Sequence, residues 1–93
     1  MPLFAVEYTY AAGSDAGRDE VRPQHRAWLG ELHEAGTVRT SGPYPDGSGA
    51  LFIIDTESAV AVHDLLKQDP FGKAGFVSDI RVNEWVCVFE WRS

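Results

Sequence analysis

The sequence has 93 residues, of which 44% are hydrophobic and 24% are charged, a composition typical of one folded domain spanning residues 1–93. The formal net charge of −6 disfavours nucleic acid and anionic membranes as partners, because both attract basic surfaces. Cys87 is the lone cysteine, so an internal disulfide is impossible, and no segment resembles a signal peptide or a bilayer span. We therefore expect a cytoplasmic protein.

The first third of the chain predicts a strand followed by a helix. Side chains that alternate between apolar and polar over Leu3–Tyr10 predict the strand. Apolar residues at helical spacing predict a helix over residues 19–35. This helix begins as late as Arg22 if Pro23 stands in its first turn, the position where proline is best tolerated. Gly36 is expected to end it.

The middle of the chain predicts a hairpin. An extended stretch over residues 37–41 leads into a turn over residues 42–47, and this turn contains the Asp-Gly pair typical of hairpins. Residues 49–54 return as a strand. Because residues 51–54 are continuously apolar, we expect both faces of this strand to be buried.

The last third predicts a second helix and a long strand. Asp55 or Thr56 can cap a helix that continues to residue 68 or 69, where Pro70 ends it, and a short loop follows. A final strand covers residues 77–91. The order β-α-β-β-α-β predicts an α+β, ferredoxin-like fold, with a four-stranded antiparallel sheet and both helices on one of its faces.

The final predicted strand also suggests how the protein assembles. Its alternate positions are apolar on both sides, with Ile80, Val82, Val86 and Val88 on one and Trp85, Cys87, Phe89 and Trp91 on the other. Two helices cover only one face of a sheet, and soluble monomers avoid large exposed apolar patches. We therefore expect a homodimer in which two sheets pack face to face.

His25 and Asp69 are the best candidates for chemistry. His25 lies in the apolar stripe of the first predicted helix, and Asp69 continues the inward face of the second helix at its end. Because both helices pack on the same sheet face, the two side chains can approach each other. A carboxylate that holds one ring nitrogen fixes the tautomer and leaves the other nitrogen to move a proton. The alternative is a buried histidine satisfied by a structural carboxylate.

Several short motifs follow one another along the chain: Arg22-Pro23-x-His25-Arg26-Ala27-Trp28-Leu29, Ser41-Gly42-Pro43, Asp69-Pro70-Phe71 and Ala74-Gly75. Together they resemble the YCII-related (YciI-like) family over nearly the whole chain. The resemblance implies a ferredoxin-like fold in a dimeric α/β barrel. It also implies an active site built on a His-Asp dyad, which falls here on His25 and Asp69. Elimination from chlorinated hydroxy-aromatic compounds is known in the broader group, and the resemblance alone does not assign that substrate to this chain.

Five further side chains are candidates for substrate binding: Arg22, Ser41, Phe71, Trp28 and Tyr8. Arg22 either binds an anionic group or is a solvated residue of the first helical turn. The Ser41 hydroxyl either orients a ligand or belongs to a turn beside Gly-Pro. The three aromatic side chains either line an apolar pocket or belong to the ordinary core.

The sequence predicts no metal site and no cofactor, because it has no CxxC pair and His33 is poorly placed to share a metal ion with His25. The first hypothesis is a cofactor-independent enzyme that transfers a proton, in an elimination or isomerisation of a small organic substrate. Two alternatives stay open. One is a cofactor-free oxygenase, and the other is a non-catalytic module that binds or senses a small ligand.

Overall fold

The computed structural model describes residues 2–90, and within them four strands and three helices. Their order along the chain is β1 (Leu3–Tyr10), α1 (Asp15–Glu34), β2 (Val38–Pro43), β3 (Gly49–Asp55), α2 (Ala59–Leu66), α3 (Pro70–Lys73) and β4 (Val77–Trp85). The strands pair antiparallel in the order β2-β3-β1-β4. The predicted ferredoxin-like α+β fold is confirmed. Among these helices, none is both long and apolar enough to cross a bilayer.

The core lies between one face of the sheet and the two longer helices. Phe4, Val6 and Tyr8 of β1 point to this face and are buried, because successive side chains of a strand alternate between faces. They pack against inward residues of β3 and the apolar stripes of α1 and α2, namely Phe52, Ile54, Trp28, Leu29, Leu32, Val62, Leu65 and Leu66. Both helices therefore cover the same sheet face, as the sequence predicts.

Helix α1 begins earlier than the sequence predicts, at Asp15 instead of residue 19 or 22. Pro23 stands well inside the helix, where its missing N–H removes the hydrogen bond to the carbonyl of Asp19. Both residues are exposed, so water can bind that carbonyl and the proline does not break the helix. The extra turn adds Arg18 to the helical surface. Gly36, with φ of +83°, follows the helix end as predicted.

Helix α2 is shorter at its start than predicted. Ser58 caps it, and the Ser58 hydroxyl accepts a hydrogen bond from the N–H of Ala61 at 3.1 Å. The prediction of Asp55 or Thr56 as the cap is wrong. Asp55 is retained in β3, where its N–H donates to the carbonyl of Thr37 at 2.7 Å.

The end of α2 also differs, and this difference positions Asp69. The helix ends at Leu66, so Asp69 is not part of its inward face. Asp69 is extended, with φ of −65° and ψ of 123°, as steric conflict with a following proline requires. Pro70 then begins the one-turn helix α3 where a loop was predicted. Proline suits a first helical position because the N–H that it lacks would be unpaired there.

Strand β2 is longer than predicted and ends at Pro43 instead of residue 41. Gly42 and Pro43 pair with Leu51 and Ala50 of β3, which confines the turn to the residues that follow. The sheet accepts the proline because β2 is an edge strand, and an edge strand has one side without hydrogen-bonding neighbours.

The second face of the sheet is less apolar than predicted. The outward residues Asp79, Arg81 and Asn83 of β4 are polar. Leu51 of β3 points to this face and is 39% exposed, so the prediction that β3 is buried on both faces fails at this residue. The exposed apolar residues of this face are therefore Leu51 and, at the other end of the sheet, Trp85.

Strand β4 ends at Trp85, so the predicted strand over residues 77–91 is too long. Residues 86–90 turn back over the second sheet face, where Glu90 pairs with Arg39 of β2 at 3.2 Å. The chain thereby encloses a groove of about 440 Å³, which Leu3, Ile53, Trp85, Cys87 and Phe89 line with Arg39, Thr40 and Glu90. The apolar alternation predicted beyond Trp85 does not hold because these residues are not in a strand. Trp91 lies outside the described residues.

Gly49 stands where the backbone of β3 passes close to that of β1. A Cβ atom here would lie 1.8 Å from the carbonyl oxygen of Tyr8. We expect Gly49→Ala to lower the free energy of unfolding by about 3 kcal/mol, because the paired backbones would have to separate. Nothing lies within 4 Å of a Cβ built on Gly42, so Gly42→Ala is the control, with an expected change of about 0.5 kcal/mol. Urea unfolding followed by tryptophan fluorescence measures both, and equal effects would contradict the close approach.

Candidate active site

Asp69 is at the centre of the site, and its carboxylate has no exposed surface (0%). Its extended backbone makes it the cap of α3, and Oδ1 accepts the N–H of Phe71 at 3.0 Å. The same oxygen lies 2.7 Å from Nδ1 of His25, and Oδ2 accepts the hydroxyl of Tyr8 at 2.7 Å. A buried carboxylate is costly unless hydrogen bonds compensate for lost hydration, and three donors do so here.

His25 lies on the inward face of α1 and is 6% exposed. Its ring lies flat on the ring of Phe71, with centroids 3.9 Å apart and planes 6° from parallel. The aromatic stack and the bond to Asp69 together fix the position and the rotation of the imidazole. The predicted pair of His25 and Asp69 is therefore present in the structure, as a buried and directly bonded pair.

Tyr8 holds the other side of the Asp69 carboxylate. Burial raises the pKa of Tyr8 far above its ordinary value of 10.0, and the negative charge and hydrogen bond of Asp69 raise it further. The phenol therefore stays protonated across the physiological range and remains a hydrogen-bond donor. Its donation leaves Oδ1 of Asp69 to accept from His25 and from the backbone of Phe71.

This arrangement assigns the histidine tautomer. A carboxylate accepts hydrogen bonds, so the hydrogen of a neutral His25 ring lies on Nδ1, which faces Asp69. Within residues 2–90, Nε2 has no hydrogen-bond partner, and the ring borders an open cleft. Nε2 is thus the atom of the pair that can accept a proton from a bound molecule.

The cleft measures about 450 Å³, a size suited to a small organic molecule. It lies between α1, α3 and the hairpin that joins β2 to β3. Aromatic and aliphatic walls are formed by Tyr10, Leu29, Ala50, Phe52 and Phe71, and the polar walls by Arg18, Arg22, His25, Arg26 and Ser41. Residues 42–47 of the hairpin, without Asp46, close one side.

Of the five substrate-binding candidates, Arg22, Ser41 and Phe71 line the cleft, and Tyr8 and Trp28 do not. Tyr8 is buried behind Asp69 and does not touch the cleft. It is connected to it by hydrogen bonds, from the Tyr8 hydroxyl to the Asp69 carboxylate and from that carboxylate to the His25 imidazole. Trp28 packs against the core, and its indole Nε1 is buried without a hydrogen-bond partner among the described residues.

Several lining residues were not among the candidates from the sequence, and most of these are basic or lie in the hairpin. Arg18 and Arg26 flank Arg22 at intervals of four residues, a spacing that places all three on one helical face. That periodicity was visible in the sequence. Arg18 was missed because the predicted helix began after it, at residue 19 or 22, whereas α1 begins at Asp15. Tyr10 ends β1 beside Arg18, whose guanidinium lies 4.0 Å above its ring.

The described part of the chain has no group of three or more His, Cys, Asp and Glu side chains that could hold a metal ion. His25 and Asp69 meet without a third such side chain, and the remaining partners of Asp69 are a phenol and a backbone N–H.

The raised pKa of Tyr8 predicts a specific alkaline behaviour. Above pH 10.0 the unfolded chain loses the Tyr8 proton while the folded chain keeps it, so the wild type loses stability as the pH rises. Tyr8→Phe removes this loss, worth up to about 1.4 kcal/mol per pH unit, although it costs about 1–3 kcal/mol near neutrality by leaving Oδ2 without its donor. Urea unfolding of both proteins between about pH 8 and pH 11 measures the difference. Parallel pH profiles would contradict a protonated Tyr8.

Comparison with known proteins agrees with this fold. A family model described as the YCII-related domain matches residues 3–86. A search of curated proteins finds no match. Among solved structures, the chain is similar to 5-chloro-2-hydroxyhydroquinone dehydrochlorinase (TftG) from Burkholderia phenoliruptrix AC1100, in complex with 2,5-dihydroxybenzoquinone. The two are 28% identical with a TM-score of 0.81, over 90% of this chain and 93% of that chain. The fold, the arrangement of motifs and the family match agree that the chain belongs to the YCII-related family.

Proposed function

We propose that the protein is an acid/base enzyme that uses Nε2 of His25 to transfer a proton in an elimination or isomerisation of a small organic substrate. The observation that carries the proposal is the 2.7 Å bond between Nδ1 of His25 and a carboxylate with no exposed surface, at the wall of an open cleft. A positioned side chain of this kind contributes roughly 10²- to 10⁴-fold to the rate of a proton transfer.

Each neighbour has a distinct part in the proposal. Asp69 orients the imidazole and stabilises its protonated form after Nε2 accepts a proton. Tyr8 positions Asp69, and Phe71 supports the ring face. Arg22, Ser41 and Phe71 are the proposed substrate contacts, because they border the same cleft. No step of this proposal requires a cofactor.

The similarity to TftG supports elimination as the reaction class. A dehydrochlorinase removes hydrogen chloride, so a base must accept a proton during its reaction. The quinone in the TftG complex is a planar molecule with one ring. A ligand of that size matches the cavity of about 450 Å³ beside His25.

The test combines measurements of turnover with NMR spectra of the His25 ring. We expect His25→Gln to lower chloride release from 5-chloro-2-hydroxyhydroquinone by about 10²- to 10⁴-fold, and Asp69→Asn by about a hundredfold. In ¹⁵N NMR spectra, the neutral wild-type ring should carry its hydrogen on Nδ1, and Asp69→Asn should lose that preference. His63 is exposed on α2 and does not line the cleft, so His63→Gln is the matched control.

The outcomes separate the remaining hypotheses. Unchanged turnover in both variants would remove the pair from the mechanism. Thermal stabilisation by the ligand with no product would favour the non-catalytic binding module. Oxygen consumption during turnover would favour the oxygenase.

We also propose that two copies of the chain pair through the second face of the sheet. This face carries exposed Leu51 and Trp85, which a partner would bury. It also carries Glu7 beside Arg81, at 3.7 Å. A two-fold axis brings the same patch of each copy together, so both charge signs on one patch allow it to complement itself. This surface of mixed charge is therefore suited to pairing with a second copy of the chain.

Light scattering tests the dimer. We expect the wild type to have the mass of two chains at micromolar concentration, and Leu51→Lys to shift it toward one chain, because a buried lysine ammonium is costly. Val60 is exposed on α2, away from the sheet, so Val60→Lys should leave the dimer intact. A monomeric wild type would refute the proposal. A Leu51→Lys variant that remains dimeric would show that the interface lies on another surface.

A further inference from the structure

Basic residues are concentrated in the cleft of an otherwise acidic protein. Arg18, Arg22 and Arg26 all line it, which is half of the six arginines of a chain with net charge −6. The lining includes no aspartate or glutamate. A concave wall with one sign of charge focuses the electrostatic potential and raises the local concentration of ions of the opposite sign.

Arg18 is a fixed part of this wall. It is 7% exposed, its Nε donates to the hydroxyl of Ser14 at 2.9 Å, and its guanidinium pairs with Asp15 at 2.8 Å. It also lies over the ring of Tyr10. With these contacts Arg18 has little freedom to reach a ligand, so it supports the wall and contributes positive charge.

Arg22 and Arg26 make fewer contacts within the protein than Arg18 does. Arg22 pairs with Asp19, an exposed carboxylate one turn back on the same helix, and exposed pairs of this type contribute little energy. Arg26 forms no ion pair with any residue in 2–90 and is exposed at the cleft. Both guanidinium groups are therefore available to an incoming anion, and Ser41 offers a hydroxyl from the hairpin side.

We infer that the cleft selects small organic anions, with an anionic oxygen of the ligand bound by Arg22 and Arg26 and its apolar body held beside Phe71 and Phe52. A carboxylate and an ionised phenolic hydroxyl share this chemistry, since both accept hydrogen bonds from guanidinium groups. The inference rests on the proposed function only for the orientation of the ligand, whose other end then faces Nε2 of His25. Binding of the anion itself does not require proton transfer.

The test uses ligands of equal size and different charge. We expect benzoate to bind more tightly than benzamide, and benzamidinium to bind least, as measured by isothermal titration calorimetry or by amide shifts in NMR spectra. The affinity for benzoate should fall as the salt concentration rises, because salt screens exposed charges. 4-Nitrophenolate carries its charge on a phenolic oxygen, so its affinity relative to benzoate identifies the preferred kind of anionic oxygen.

Two variants locate the site. Arg22→Gln and Arg26→Gln should each weaken benzoate binding by about tenfold and leave benzamide binding unchanged, because each removes one charge-assisted contact. Lys67→Gln removes the same charge from an exposed position just after α2, outside the cleft lining, and should weaken benzoate binding less than twofold. The amide spectrum of each variant verifies its fold.

Several results would overturn the inference. These are no benzoate binding at millimolar concentration, binding of benzamide or benzamidinium as tight as that of benzoate, or arginine variants that bind benzoate as well as Lys67→Gln does. Failure here is distinguishable from failure of the proposed function. Loss of turnover in His25→Gln together with unaffected benzoate binding in the arginine variants would retain the acid/base enzyme and reject the anion site. Unchanged turnover in His25→Gln together with weakened benzoate binding in the arginine variants would retain the anion site and reject the acid/base enzyme.

Discussion

The buried carboxylate of Asp69 is the interaction on which the site depends. A charge without exposed surface must receive hydrogen bonds, and its donors come from β1, α1 and the start of α3. The same three contacts that make the carboxylate tolerable also join those elements to one another. The requirement that stabilises this corner of the fold therefore also orients His25 toward the cleft.

The cleft divides two tasks between two kinds of surface. His25 and Phe71 form a rigid stacked pair with buried support behind it. Arg22 and Arg26, on the same helix as His25, are partly or fully exposed and have weak or no ion pairs among the described residues. A reactive group gains from rigid positioning, whereas a recognition surface gains from charge that remains accessible to the ligand.

Much of the fold was predictable because its signals are local. Alternation identified β1, helical spacing identified the inward face of α1, and the order of elements identified the ferredoxin-like topology. The errors lie at boundaries, where a local rule met tertiary context. Pro23 is tolerated inside α1 because the carbonyl of Asp19, which loses its hydrogen bond, is exposed to water. Pro43 is tolerated in β2 because an edge strand has no second neighbour.

The sequence by itself determined the fold class, the inward position of His25 and the extended backbone of the residue before Pro70, since each follows from steric or periodic constraints of neighbouring residues. The tertiary structure decided which groups meet. Tyr8 is separated from Asp69 by 61 positions, and His25 by 44, so no local rule relates them. Their contact follows from burial, because the carboxylate could leave water only where donors from distant elements replaced its hydration.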